Sequence, residues 1–116
     1  MKLIFVMALT TALMMPAAAT LADGNPTAGK EKATACAGCH GPDGNSTSPQ
    51  FPRLAGQYPD YLVQALKEYQ TGERSNPIMK GMAASLSADD MADIAAYFSG
   101  QTGVTATPER RLLEKY

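Results

Sequence analysis

Cys36-Ala37-Gly38-Cys39-His40 places two thiols and an imidazole next to one another, and His40 is the only histidine in the chain. Two cysteines three positions apart share one side of a helical turn. An imidazole directly after the second is carried to where it can bind a metal. C-x-x-C-H is the spacing of covalent c-type haem attachment, in which each thiol adds to one vinyl group of the porphyrin and the histidine binds the iron. Ala37, Gly38 and the following Gly41 are small, so backbone can lie close to a flat ring.

The other chemistries open to these residues are weaker. A thioredoxin-like redox pair needs a strand–helix–strand setting, and no stretch alternates apolar and polar residues for more than a few positions. A disulfide across two residues closes too small a loop to stabilise a fold much. Zinc would need further ligands, and the chain has no other Cys or His.

Low-spin haem iron takes a second axial ligand, and with the one histidine used the remaining soft donor is a methionine thioether. Beyond the cysteines the chain offers Met79, Met82 and Met91. Met91 falls on the apolar face of an expected helix and reads as core packing. Met79 and Met82 lie in Asn76-Pro77-Ile78-Met79-Lys80-Gly81-Met82, read as an irregular loop able to cross the far face of the ring. Spacing alone does not choose between them.

The chain has 116 residues, 45% hydrophobic and 18% charged, with a formal net charge of −1. That is one small domain, and near-neutral charge removes the electrostatic case for a nucleic-acid partner. Residues 1–22 read as a secretory signal peptide: Lys2 is the positive end, Leu3 to Met15 the apolar run, and Pro16-Ala17-Ala18-Ala19 the small-residue exit. The run falls short of the roughly 20 residues needed to span a bilayer. Cleavage is expected after Ala22, leaving a mildly acidic exported chain.

Three helices are expected. The first opens at Asn25-Pro26-Thr27 with Thr27 as N-cap and ends at the cysteines. Residues 41–57, rich in Gly and Pro, form a long structured loop. The second helix opens at Tyr58-Pro59-Asp60, turns Tyr61, Leu62, Ala65, Leu66 and Tyr69 to one face, and stops at Gly72. The third has Ser87 as N-cap, Asp90 completing a capping box, an apolar face of Met91, Ile94, Ala95 and Phe98, and a stop at Gly100. A polar connector and a solvated tail at residues 105–116 follow. So few short helices bury too little apolar surface to offset chain entropy, and the haem must fill the middle.

These features together resemble a class I c-type cytochrome, and in detail one haem domain of the bacterial cytochrome c4 and c-553 type proteins. The matching stretches are Cys36 to Asn45, Phe51-Pro-Arg-Leu-Ala-Gly-Gln57, Tyr61 to Leu66, Asn76 to Met82 and Leu86 to Phe98, covering most of residues 27–100. The resemblance implies an all-α, cytochrome c-like fold of three to four short helices around one covalently attached haem c, in a mono-haem domain at residues 23–104. It implies Met79 as the distal iron ligand, with Met82 second. It also implies that the Pro52 carbonyl receives the Nδ1–H of His40, although Pro52 is equally readable as an ordinary turn proline. Two-haem relatives carry a second C-x-x-C-H domain. This chain shows one, so transfer between two haems of one chain is not expected.

The function expected is that of a periplasmic electron carrier, monomeric, exchanging single electrons with redox protein partners and acting on no small-molecule substrate. One alternative is a cytochrome subunit held permanently in a larger dehydrogenase, bound through the segment beyond Gln101. A third reading, a gas-binding haem protein or haem enzyme with an open distal site, lacks a distal histidine for acid/base chemistry.

Overall fold

The computed structural model describes residues 23–103. Among them are five short helices and no strand: α1 (Pro26–Lys32), α2 (Thr34–His40), α3 (Pro59–Thr71), α4 (Pro77–Ala83) and α5 (Ala88–Ser99). The expected signal peptide and the tail at 105–116 lie outside the described residues. No described helix is long and apolar enough to cross a membrane.

Five helices stand where three to four were expected, and the differences have local causes. Thr27 is not the first N-cap. Asn25 is, its side-chain oxygen accepting from the N–H groups of Thr27 and Ala28 at 2.9 and 3.2 Å. Pro26 has a fixed φ and no N–H to satisfy, so it takes the first helical position and leaves the cap to the residue before it. Helical structure does end at the cysteine motif, but in two pieces rather than one. The chain bends at Ala33, whose N–H still bonds Gly29 O at 2.8 Å and whose carbonyl accepts from Cys36 and Ala37 at 2.9 and 3.0 Å. It resumes as α2, which contains both cysteines and the histidine.

The Asn76–Met82 segment is likewise not an irregular loop. Asn76 repeats the Asn25 device, accepting from Ile78 and Met79 N–H at 3.0 Å each with Pro77 at the first position, and α4 follows. The other two helices form as expected. α3 opens on Pro59 and closes on Gly72 in the left-handed region. In α5 the Ser87 and Asp90 side chains cap each other's backbone at 3.1 and 3.0 Å.

The core is built on α5, whose Met91, Ile94, Ala95 and Phe98 are all buried. Ala33, Leu62, Ile94, Ala95 and Phe98 form its cluster, with Cys36, Leu54, Val63, Leu86 and Tyr97 packed against it. α1 crosses α5 at Gly29, where a Cβ would overlap the Asp93 carbonyl. Around that crossing Lys32 Nζ pairs with Asp90 at 2.8 Å and Asp93 at 2.6 Å, while Asn25 N–H donates to Asp93 at 2.7 Å. α3 packs on α5, and α4 on α3.

Gly29→Ala should destabilise the protein by about 1–3 kcal/mol, the usual range for overpacking, measured by denaturant unfolding. The ion pairs make stability pH-dependent. Their Lys32 hydrogen bonds are the main reason that the Asp90 carboxyl is lowered from 3.8 to about 2 and that Asp93 is lowered too. A carboxylate whose pKa falls on folding adds stability above its unfolded value and loses it as pH drops through the folded one. The thermal midpoint should therefore fall more steeply in wild type than in Lys32→Met as pH drops from 3.8 towards 2. Parallel curves would refute the linkage.

Candidate functional site

α2 carries Cys36, Cys39 and His40 on one short helix. Cys36 is half-buried against the core and Cys39 is exposed; both are free thiols. Burial pushes the Cys36 thiol up, favouring its protonated form. The helix ends directly after His40 because Gly41 takes φ +86°, a conformation that strains any side chain. The chain there turns into the loop at 41–57.

Hydrogen bonds fix that loop. The Tyr97 hydroxyl on α5 donates to Pro42 O at 2.8 Å, and Gly56 N–H donates to Phe98 O at 3.0 Å. Leu54 and Ala55 N–H both donate to Gly44 O, at 2.8 and 3.2 Å, and Arg53 Nε donates to Ser46 O at 3.1 Å. Pro52 is thereby brought to His40, with its carbonyl oxygen 2.7 Å from Nδ1. A carbonyl can only accept, so Nδ1 carries the proton and the neutral ring keeps its lone pair on Nε2. His40 is only 6% exposed, with the Phe51 ring edge-on at 6.4 Å.

Met79 and Met82 both lie on α4. Met79 is half-buried in the first turn with its N–H held by Asn76; Met82 is 39% exposed. The methionines thus sit on a different helix from His40, one whose main packing is with α3. Met91 is core, 1% exposed.

Two residues around α4 escaped the sequence reading. Arg74, in the α3–α4 connector, lies over the rings of Tyr61 and Tyr69 at 5.8 and 5.4 Å and pairs with Glu68 at 3.2 Å. Tyr61 was expected on the apolar face of its helix but is 48% exposed, because its ring serves the guanidinium instead. The signal was present in sequence as an aromatic pair eight residues apart, followed by an arginine after the helix stop. The second, Gln70, donates from α3 to the backbone at and just past the end of α4, and nothing in its position marks it out.

The residues present fit a haem. A buried imidazole is oriented by Nδ1, and no described residue bonds its Nε2. Two free thiols stand one helical turn apart on the same helix. Among the described residues, a Cβ at Gly38 or Gly81 would meet nothing within 4 Å, so no described atom requires glycine at either position. Large apolar side chains on α4 also lack protein cover, with Ile78 at 66% exposure. The competing chemistries fare worse: among the described residues there is no strand for a thioredoxin-like unit, no disulfide, and no cluster of three His, Cys, Asp or Glu able to hold a metal.

An all-α fold with C-x-x-C-H ending a helix beside a carbonyl-bonded histidine defines a protein of covalently bound haem. The family model described as cytochrome c matches residues 26–101. Cytochrome c4 of Pseudomonas aeruginosa is 48% identical over 80 residues, covering 69% of this chain and 40% of that one. Cytochrome c-554(548) of Halomonas halodenitrificans is 43% identical over 81 residues, covering 67% of this chain and 98% of that one. The crystal structure of reduced recombinant cytochrome c4 from Pseudomonas stutzeri matches with a TM-score of 0.66 at 44% identity, over 69% of this chain and 47% of that chain. The chain belongs to the cytochrome c family, as a class I c-type cytochrome similar to one haem domain of cytochrome c4. It spans less than half the length of these cytochrome c4 relatives. Family members bind haem c covalently, and the single C-x-x-C-H here takes one.

Cys36→Ala and Cys39→Ala should each leave the haem held by one thioether, and the double variant should lose it on denaturation. Mass spectrometry of the unfolded chains reads this directly. Haem still covalently attached to the double variant would overturn the assignment.

Proposed function

We propose that this chain is a periplasmic one-electron carrier whose haem iron is held by His40 and Met79. The observation that carries the reading is the 2.7 Å hydrogen bond from His40 Nδ1 to Pro52 O, which leaves Nε2 as the metal-binding atom. When bound, the haem supplies the exchange of one electron between ferric and ferrous iron. The protein supplies the rest: the Pro52 carbonyl orients the imidazole and raises its basicity, and burial keeps water from the ring.

Met79 is favoured over Met82 by its half-buried place in the capped first turn of α4. The Met79 thioether, as the second protein group holding the iron, would stabilise its ferrous form and would leave no place for a substrate or gas. Held by two fixed side chains, His40 and Met79, the iron would change charge with little rearrangement of the protein, as a carrier requires. The exposed Cys39 puts one attachment point at the surface, where redox proteins would dock through the small contacts, below about 1,200 Å², typical of electron-transfer encounters. Export to the periplasm is supported by the Lys2, Leu3–Met15 and Pro16–Ala22 pattern. The alternative of a permanent dehydrogenase subunit requires docking through the segment beyond Gln101, most of which lies outside the described residues.

In the ferric protein Met79→Ala should abolish the thioether-to-iron charge-transfer absorption and lower the reduction potential. Its ferrous form should bind carbon monoxide, whereas the wild-type ferrous spectrum should not change under the gas. If Met82→Ala produces these effects and Met79→Ala does not, the ligand is Met82.

A further inference from the structure

Gln70 reaches from the last turn of α3 to the far end of α4. Its side-chain Nε2 lies 3.0 Å from the carbonyl oxygens of Ala83 and Leu86 and 3.4 Å from that of Ala84. The carbonyls at the end of a helix have no partner within it, and here the Gln70 amide supplies one. Three acceptors around one nitrogen also fix which way the amide faces, since only its NH2 group can donate.

α4 has seven residues and contains Gly81, too short and too poor a helix former to hold its place unaided. Its ends decide where it lies. At the start, Asn76 caps the first turn, while the connector before it is pinned by Arg74 between Tyr61, Tyr69 and Glu68. At the finish, Gln70 provides the side-chain hydrogen bonds to the backbone of residues 83–86. The Ala83 carbonyl also accepts the Leu86 N–H at 3.1 Å, so Gln70 is its second donor and the one that ties it to α3. Ala83 is fully buried, so water cannot readily replace that tie.

We propose that Gln70 is a positioning residue: by tying the end of α4 to α3 it holds the Met79 thioether at the iron against competing ligands. This rests on the reading of Met79 as distal ligand. Gln70 hydrogen-bonds the backbone at the end of α4 rather than either methionine, and acts through the helix that bears them.

The test is titration of the haem-loaded ferric protein with imidazole, which competes with the thioether for iron and is followed in the visible spectrum. Four forms are compared: wild type, Gln70→Met, Gln70→Glu and Met79→Ala. Gln70→Met removes the donor at similar shape, and Gln70→Glu turns acceptor oxygens towards the three carbonyls. Imidazole should bind about ten-fold tighter or more to Gln70→Glu, the scale of losing an outer support of a ligand, and to an intermediate degree in Gln70→Met. Adding Gln70→Glu to Met79→Ala should change nothing further, because the thioether is already gone. Where Gln70→Glu fails to fold, Gln70→Met decides. Imidazole affinity unchanged in the Gln70 variants, with only the thermal midpoint lowered, would overturn the proposal, since Gln70 would then merely stabilise the fold. If Met79→Ala itself binds imidazole no more tightly than wild type, the ligand reading fails and this inference fails with it.

Discussion

A carbonyl oxygen has no proton to give, and that constraint at Pro52 organises the structure around His40. The ring must donate from Nδ1, so Nε2 is the nitrogen left for a metal. Holding the carbonyl in place takes most of the loop at 41–57 and part of α5: Tyr97 bonds one end of the loop and the Phe98 carbonyl receives the other. α5 in turn is held by its crossing with α1 at Gly29 and the Lys32 ion pairs. The helix crossing thus supports the orientation of one imidazole, through a loop that has no regular structure of its own.

The polypeptide alone makes a thin interior. Of the eight buried hydrophobic residues among those described, four are alanines, which bury little area each. Phe98 and Met91 are the largest side chains fully enclosed, while Ile78 and Met82 on α4 face outward. A large flat apolar group gives such side chains the contacts that no neighbouring helix provides. Cofactor and core are in this sense the same object, which explains why a short chain with so few bulky apolar residues can specify a single fold.

How much of this was legible in sequence depended on the range of the interaction. The Ser87–Asp90 capping box, the face of Met91, Ile94, Ala95 and Phe98, and the Gly72 stop are local patterns, and each forms as read. Asn-Pro occurs at both 25–26 and 76–77 and starts a helix both times, whereas the local pattern alone suggests Thr27 as the first cap and a loop at the second. Seven-residue helices carry too few turns to show a period, so only the cap could have announced them. At the site, Cys36, Cys39 and His40 stand out because their spacing is dictated by the porphyrin. Gln70 does not stand out, because its partners are backbone carbonyls 13 to 16 residues away and any sequence there would offer them.

The pairing of α1 with α5 also bears on how the chain comes together. Asn25 and Asp93 are separated by 68 positions, and Lys32 and Asp93 by 61. A polypeptide emerging amino end first has its opening helix long before it has the surface that helix packs on. Local turns can form at once, but these late, non-local contacts must wait for nearly the whole domain. During that interval the thiols of α2 stand ahead of an unfinished structure, open to chemistry that the assembled molecule would obstruct at Cys36.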